Sequence, residues 1–269
     1  MLTKTAATPL AILPIKFRQK PCFKFNYYIR VILLKPDLHK ELPPLATIEE
    51  STVTENAIVA RFVASRRKYL YAKRGLDIFF SILAIAFVLS WLVPIIAVWI
   101  KLGSKGPVFF SQNRVGRNGK IFRCLKFRTM VTNEDADEKP ADENDDRITR
   151  AGRFLRKTNI DELPQLFNVL GGDMSLAGPR PHMLSDCTRF SFVISSYKFR
   201  SLVKPGITGL AQIKGYHGPA KEYDGIVNRY YWDAVYVRKA GLRLDLKILG
   251  KTVLISGKTF FSVLFKGGK

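Results

Sequence analysis

The sequence predicts a mostly helical α/β protein held at a membrane surface, and three observations predict it. Residues 78–100, IFFSILAIAFVLSWLVPIIAVWI, run for 23 positions without a charge, more than the roughly 18 to 20 that a membrane helix needs. The chain carries 44 Lys and Arg against 22 Asp and Glu, a formal net charge of +22. Much of that excess flanks the apolar run or is interleaved with apolar residues near the C-terminus. Between these regions, short β-rich pieces precede a helical pattern over Ile148 to Leu170. With 47% hydrophobic residues in 269, the chain can bury a real core, which excludes a disordered basic tail.

Taken in order, residues 1–60 form an N-terminal extension, with a basic, aromatic stretch CFKFNYYIRVILLKPDL and no repeat. From Glu55 to Lys68, Ile58, Val59, Phe62 and Val63 recur at helical spacing beside Arg61, Arg66 and Arg67. An interfacial helix and a buried helix face fit that pattern equally. Residues 61–105 then make the membrane segment, too deep in the sequence for a cleaved signal peptide. Arg66, Arg67, Lys68, Lys73 and Arg74 precede the apolar run and Lys101 and Lys105 follow it. Both flanks look cytoplasmic, whereas a simple span is biased on one side. Pro94 removes a backbone donor and clashes with the preceding turn. Ser90, one turn earlier, offers a hydroxyl to a freed carbonyl. On these residues alone a re-entrant hairpin and a single kinked span both remain open.

Residues 106–256 read as the cytosolic-face domain. GPVFFSQNRVGRNGKIFRCLKFRTM supplies β-rich pieces around a turn at GRNG, and NEDADEKPADENDD reads as an acidic, solvated loop. In the helical pattern, Phe154, Leu155, Leu163, Leu166 and Phe167 are expected core positions, and Pro164 starts or kinks a turn. Residues 257–269 form a basic tail. The stretch LRLDLKILGKTVLISGKTFFSVLFKGGK, which runs into it, interleaves lysines with apolar residues, as an amphipathic helix on an anionic leaflet does. Cys22, Cys124 and Cys187 are too scattered for a disulfide framework or a zinc site, and a reducing compartment fits them. His39, His182 and His217 are equally dispersed.

The basic balance calls for a polyanionic partner: nucleic acid, an anionic membrane surface or a phosphorylated substrate. Against that background RKTNIDELPQLFNVLGGDMSLAGPRP sets Asp161 beside Glu162, fenced by Arg156, Lys157 and Arg180. On a helix the two acids diverge by about 100° and cannot share a proton. One could attack phosphorus while the other helps hold Mg²⁺, although two adjacent acids are commonly a solvated helix face. Asp173 adds a further acid after Gly171 and Gly172. Arg180, between Pro179 and Pro181, is stiff enough for bidentate phosphate recognition, and a purely structural loop is the equal alternative.

From about Lys73 to Ser256 the chain resembles the bacterial sugar transferases, the polyprenyl-phosphate sugar-1-phosphate transferases or monotopic phosphoglycosyl transferases. The resemblance rests on KRGLDIFFSIL with its proline-interrupted apolar run, GPVFFSQNRVGRNGKIFRCLKFRTM, RITRAGRFLRKTNIDELPQLFNVLGGDMSLAGPRP, VKPGITGLAQIKGY and LDLKILGKTV, in family order. It implies transfer of a sugar-1-phosphate from a UDP-sugar to undecaprenyl or another polyprenyl phosphate, with release of UMP. That step opens exopolysaccharide, capsule, O-antigen or glycoprotein glycan synthesis, with downstream glycosyltransferases as further partners. By position, Asp161 would be the nucleophile of a covalent phosphosugar intermediate, and Glu162 would support catalysis. Both carboxylates would serve Mg²⁺. Arg156, Arg180 and Lys126 would contact phosphate, and Asp233 in YWDAVYV falls near a further family acid. The implied architecture is monotopic: one re-entrant helix hairpin broken around Ser90 and Pro94, interfacial amphipathic helices, and a catalytic domain on the cytoplasmic face of the inner membrane.

Three features depart from the family pattern. NDDRIT has Asp146 where proline is usual, KGYHG replaces an asparagine-glycine-arginine pattern, and residues 1–60 match neither the short nor the multi-span members. Two rival readings carry their own expectations. A membrane-tethered nucleic-acid-binding protein would gather its cations on one compact face, whereas here they are spread along apolar flanks, so no nucleic-acid partner is expected. An inactive scaffold of a polysaccharide assembly complex would release no UMP.

Overall fold

The computed structural model describes residues 61, 65–131, 145–194, 196–217 and 223–266, all inside the compact unit Ile32–Lys269. The extension 1–60, most of the expected helix at Glu55–Lys68, nearly all of the acidic loop and the last residues of the basic tail lie outside the described residues.

Helix α1 (Arg67–Ala84) runs through a π turn, Ile85–Leu89, directly into α2 (Ser90–Gly103). The π turn shifts the hydrogen-bond register, so the Ser90 N–H donates to Ile85 O. Ala86 O, left over by that shift, accepts from the Ser90 hydroxyl at 2.6 Å, and Phe87 O accepts from the Trp91 indole at 2.8 Å. In apolar surroundings an unmet carbonyl costs several kcal/mol, so these two side chains make the register shift tolerable. The expected break does not interrupt the helical hydrogen bonding; the segment departs from a regular helix at the π turn. The chain stays helical through Pro94, and the Ser90 hydroxyl serves the π turn, not the carbonyl that the missing Pro94 N–H leaves open.

One face of this long helix packs inward. Leu89 meets Phe122, Val169 and Met174, while Ile96 and Ile100 meet Phe127 and Leu155. The other face leaves Phe79, Ile82, Phe87, Trp91, Ile95, Val98 and Leu102 exposed. Buried polar residues bind both of its ends to the same body. Arg74 donates to Leu170 O, the Asp77 carboxylate accepts from the Leu176 N–H, and Lys73 pairs with Asp245 at 2.9 Å. At the far end Arg128 donates to Ser104 O and Lys105 O.

The β-rich pieces form an antiparallel hairpin, β1 (Phe109–Val115) with β2 (Ile121–Phe127), in register from Phe109 opposite Phe127 to Val115 opposite Ile121. Its turn places Asn118 at φ +55° and Gly119 at φ +79°, left-handed positions that Asn and Gly adopt readily. The helical pattern after Ile148 divides in two. Helix α3 (Arg150–Thr158) starts where the Thr149 hydroxyl accepts the Gly152 N–H, and ends at Asn159 with φ +58°. Helix α4 (Gln165–Gly171) starts after Pro164 and closes on Gly172 at φ +89°. Leu155 and Leu166 enter the core as expected, but Phe167 is 44% exposed.

Strand β3 (Ser175–Ala177) pairs in parallel with β4 (Gly206–Thr208). A Cβ on Gly206 would lie 2.1 Å from Gly178 N, so only glycine lets the two segments touch. Between them runs α5 (Leu184–Val193), and α6 (Tyr223–Lys239) and α7 (Leu242–Lys266) follow. Helix α7 continues without interruption across residues 256 and 257. It leaves Val253, Leu254, Phe261, Leu264 and Phe265 exposed, and Phe260 packs edge-on against Phe154 of α3. Among the described residues, two helical stretches, Arg67–Gly103 and Leu242–Phe265, are long and apolar enough to cross a membrane, and both are mostly unburied.

Candidate active site

The acidic pair sits in a 3₁₀ turn, Ile160–Glu162, which follows the left-handed residue Asn159, instead of the α-helix expected for it. Asn159 stops α3, and Pro164 forces a new start three residues after Asp161, so the two acids occupy the corner between α3 and α4. Both are buried, yet their surroundings differ. Glu162 accepts from Lys126 at 2.7 Å and is gripped by both Nη atoms of Arg180 at 2.6 and 2.9 Å. Among the described residues, no hydrogen bond or ion pair reaches the Asp161 carboxylate.

That asymmetry sets their charge states. Burial would raise Glu162, but Arg180 and Lys126 outweigh it and hold the carboxyl well below the usual carboxylate range. For Asp161 burial wins: it pushes the carboxyl up to about 6, with Lys126 opposing and the neighbouring Glu162 charge adding to the rise. At neutral pH Asp161 is thus mainly ionised, more basic than an ordinary carboxylate and without a partner to blunt it. Such a group can attack an electrophile.

The KFRTM segment gives each residue a partner. Lys126 neutralises Glu162, Phe127 fills the core beneath Ile96 and Leu155, and Arg128 holds the end of α2. The Thr129 hydroxyl accepts from Arg156 Nε at 2.9 Å, and Arg156 Nη2 reaches the Met130 sulfur. A Cβ on Gly152 would lie 1.9 Å from Thr129 O, so this glycine is what lets α3 dock there. Arg156 is thus fixed beside Thr129, not on Glu162, although its charge still acts on Asp161.

Two other candidates stand apart. Asp173 makes a loose 3.9 Å pair with Lys120 and is not drawn to Glu162, because Gly172 turns the chain away after α4. Asp233 is 1% exposed and pairs with Arg200 at 2.8 Å. Arg200 in turn donates to Arg180 O, so Asp233 reaches Arg180 through a second residue. Arg114 of β1 also approaches this arm, donating to Pro181 O at 3.4 Å and to Gln112 Oε1. Sequence reasoning missed Arg114 and Arg200. The only signal for either was an arginine inside an otherwise β-forming or apolar stretch.

Among the described residues, no group of three or more His, Cys, Asp or Glu could hold a metal. Magnesium asks for less, since it keeps several waters and takes one or two carboxylates with substrate phosphates. Asp161 has both oxygens uncommitted, and Glu162 Oε2 carries one bond to Arg180, which leaves it an acceptor site. The pair fits a substrate-borne Mg²⁺ and does not make a closed metal cage.

These features define a mostly helical, membrane-associated protein whose body carries a buried, cation-fenced carboxylate pair. The family model described as bacterial sugar transferase matches residues 68–259, and the chain belongs to that family. It is 46% identical over 182 residues to the UDP-glucose:undecaprenyl-phosphate glucose-1-phosphate transferase of Klebsiella pneumoniae, covering 67% of this chain and 39% of that protein. It is 45% identical over 186 residues to the UDP-N-acetylgalactosamine-undecaprenyl-phosphate N-acetylgalactosaminephosphotransferase of Aeromonas hydrophila, covering 69% and 43%. With the UDP-glucose:undecaprenyl-phosphate glucose-1-phosphate transferase of Caulobacter vibrioides it shares 44% identity over 182 residues, 67% of this chain and 68% of that one. The matched stretch therefore spans about two fifths of the first two relatives and two thirds of the third.

Proposed function

We propose that the protein transfers a sugar-1-phosphate from a UDP-sugar to undecaprenyl phosphate, releasing UMP, as the first membrane step of exopolysaccharide or related glycan synthesis. The observation that carries this reading is the unequal pair: Glu162 is fully neutralised by Lys126 and Arg180, while Asp161 is buried, basic and unpartnered. An Asp161 oxygen bonds to the sugar-bearing phosphorus as the phosphoanhydride bond breaks, and UMP leaves with the electron pair. A phosphate oxygen of the lipid then attacks the same phosphorus and displaces the carboxylate. Lys126, Arg180 and Arg156 spread the charge that two anions bring together. A bound Mg²⁺, held by Asp161, Glu162 and phosphate oxygens, would supply further neutralisation of the diphosphate.

A re-entrant membrane segment is the topology we favour, supported by the bonding of both its ends to one body. Lys73, Arg74 and Asp77 at one end are bonded to Asp245, Leu170 and Leu176, and Ser104 and Lys105 at the other to Arg128, all within one compact unit. A spanning segment would carry one of these ends across the bilayer. The reading thus puts the catalytic body on the cytoplasmic face of the inner membrane, where a nucleotide sugar arrives from water and a lipid phosphate lies at the headgroups. The C-terminal helix α7 would rest on the anionic leaflet. Purified protein with undecaprenyl phosphate and a panel of UDP-sugars should release UMP and form a lipid-linked sugar diphosphate with at least one of them. Turnover with none would reject the reading in favour of an inactive scaffold.

A further inference from the structure

Two arginines grip consecutive carbonyls of the Pro179–Pro181 arm, and they are neutralised differently. Arg200 donates to Arg180 O and carries its counter-charge with it, paired to Asp233 through Nε at 2.9 Å and Nη2 at 2.8 Å. Arg114 donates to Pro181 O and to the neutral Gln112 amide, and no described carboxylate lies within ion-pair distance of it. Burial and then the like charge of the Arg180 guanidinium lower the Arg114 pKa, and the charges of Asp186 and Glu162, neither of them paired to it, offset this only in part. Arg180 itself is already committed to Glu162. A partly buried cation that a second cation repels, hydrogen-bonded only to neutral acceptors and without an ion-pair partner, is a costly arrangement that a bound anion would relieve.

Arg114 also lines a cavity of about 210 Å³ between β1 and the start of α5, walled by Asn113, Val115, Ile121, Met183, Leu184 and Ser185. Its walls are mainly apolar, with the Asn113 amide and the Ser185 hydroxyl as polar groups. A flat heterocycle with a hydrogen-bonding edge suits such a lining.

From these observations we propose that Arg114 binds the nucleotide phosphate of the donor, the one that departs in UMP, and that the β1–α5 cavity takes the nucleoside. The proposal rests on the donor being a nucleoside diphosphate sugar. Arg180, Lys126 and Asp161 then face the phosphorus that stays with the sugar, and Arg114 faces the one that leaves. The two phosphates of one diphosphate are thereby divided between two guanidiniums set side by side.

Binding without turnover tests this directly. In an Asp161→Asn background the protein should bind UMP, and Arg114→Gln should weaken that binding by about tenfold or more, roughly 1.4 kcal/mol. Inorganic pyrophosphate binding should fall with it. Thermal stability of Arg114→Gln should hold or rise, since the substitution removes a partly buried cation that has no ion-pair partner; a purely structural arginine would show lower stability and unchanged UMP affinity. Irradiation with 5-azido-UMP should label the peptide carrying Asn113–Val115 or Met183–Ser185. Undiminished UMP binding by Arg114→Gln, or labelling confined to other peptides, would overturn the proposal. If the parent protein binds no UMP at all, the UDP-sugar reading itself fails first.

Discussion

Asp161→Asn should stabilise the ligand-free protein, by an amount that depends on pH in a defined way. Asp161 is 8% exposed, and burial raises its carboxyl from 3.8 to about 6. A carboxyl whose folded pKa is raised costs stability wherever it is ionised in the folded state. The cost is full above about pH 6 and vanishes below the unfolded value, where both states hold the proton. At about 1.4 kcal/mol per pH unit, the rise corresponds to about 3 kcal/mol at pH 7.5 and about 1 kcal/mol at pH 4.5. Asparagine keeps the shape and never ionises. Thermal unfolding of both proteins in mild detergent with chelator should therefore show Asp161→Asn melting higher by roughly 5–10 °C at pH 7.5. The gap should shrink by about two thirds at pH 4.5. Glu162, held well below its ordinary range by Arg180 and Lys126, stays ionised in the folded form of both proteins at pH 4.5 and 7.5, so its own titration adds little to the difference. Equal melting at both pH values, or a less stable asparagine protein, would show that Asp161 has a partner after all and is not held ready to react.

The sequence made Asp161, Glu162, Lys126 and Arg180 recognisable because they stand inside ordered motifs, and the structure brings Lys126 and Arg180 within 2.9 Å of Glu162. Pro164 was equally readable, since a ring that cannot donate starts or kinks a helical turn. Asn159 was not. Asparagine is compatible with a helix interior, and only its left-handed φ reveals that α3 ends there. The clamps were hidden for a different reason: Lys73, Asp77 and Arg74 meet partners about 100 or more residues away, and periodicity reports only local faces. Lys73 and Arg74 looked like flanking charges for a membrane segment and proved to be partly buried bonds that fix it. Asp173 and Asp233 show the limit of counting acids. The nearer in sequence is diverted by Gly172, and the farther acts through Arg200.

Arg180→Lys should lower UMP release about tenfold or more without loss of folding, because lysine keeps the charge but not the two-pronged grip on Glu162 and phosphate. Unchanged turnover would remove that guanidinium from the site. Excess chelator should abolish transfer and Mg²⁺ should restore it, whereas full activity in chelator would exclude a metal-bearing donor complex. Single cysteines at Tyr71 and Lys105, in a background lacking Cys22, Cys124 and Cys187, should react with an impermeant maleimide from the same side of sealed vesicles. Labelling from opposite sides would establish a span.

The central claim is that Asp161 becomes covalently bonded to the sugar phosphate, and the first half-reaction needs no lipid. Protein mixed with its UDP-sugar and Mg²⁺, in the absence of undecaprenyl phosphate, should release a burst of UMP of up to one equivalent. Intact-mass analysis should show a gain of one sugar phosphate, located on the peptide containing Asp161 and absent from Asp161→Asn. UMP release that begins only when the lipid is added, with no adduct trapped at any time, would contradict the claim and make Asp161 a general base in a direct transfer.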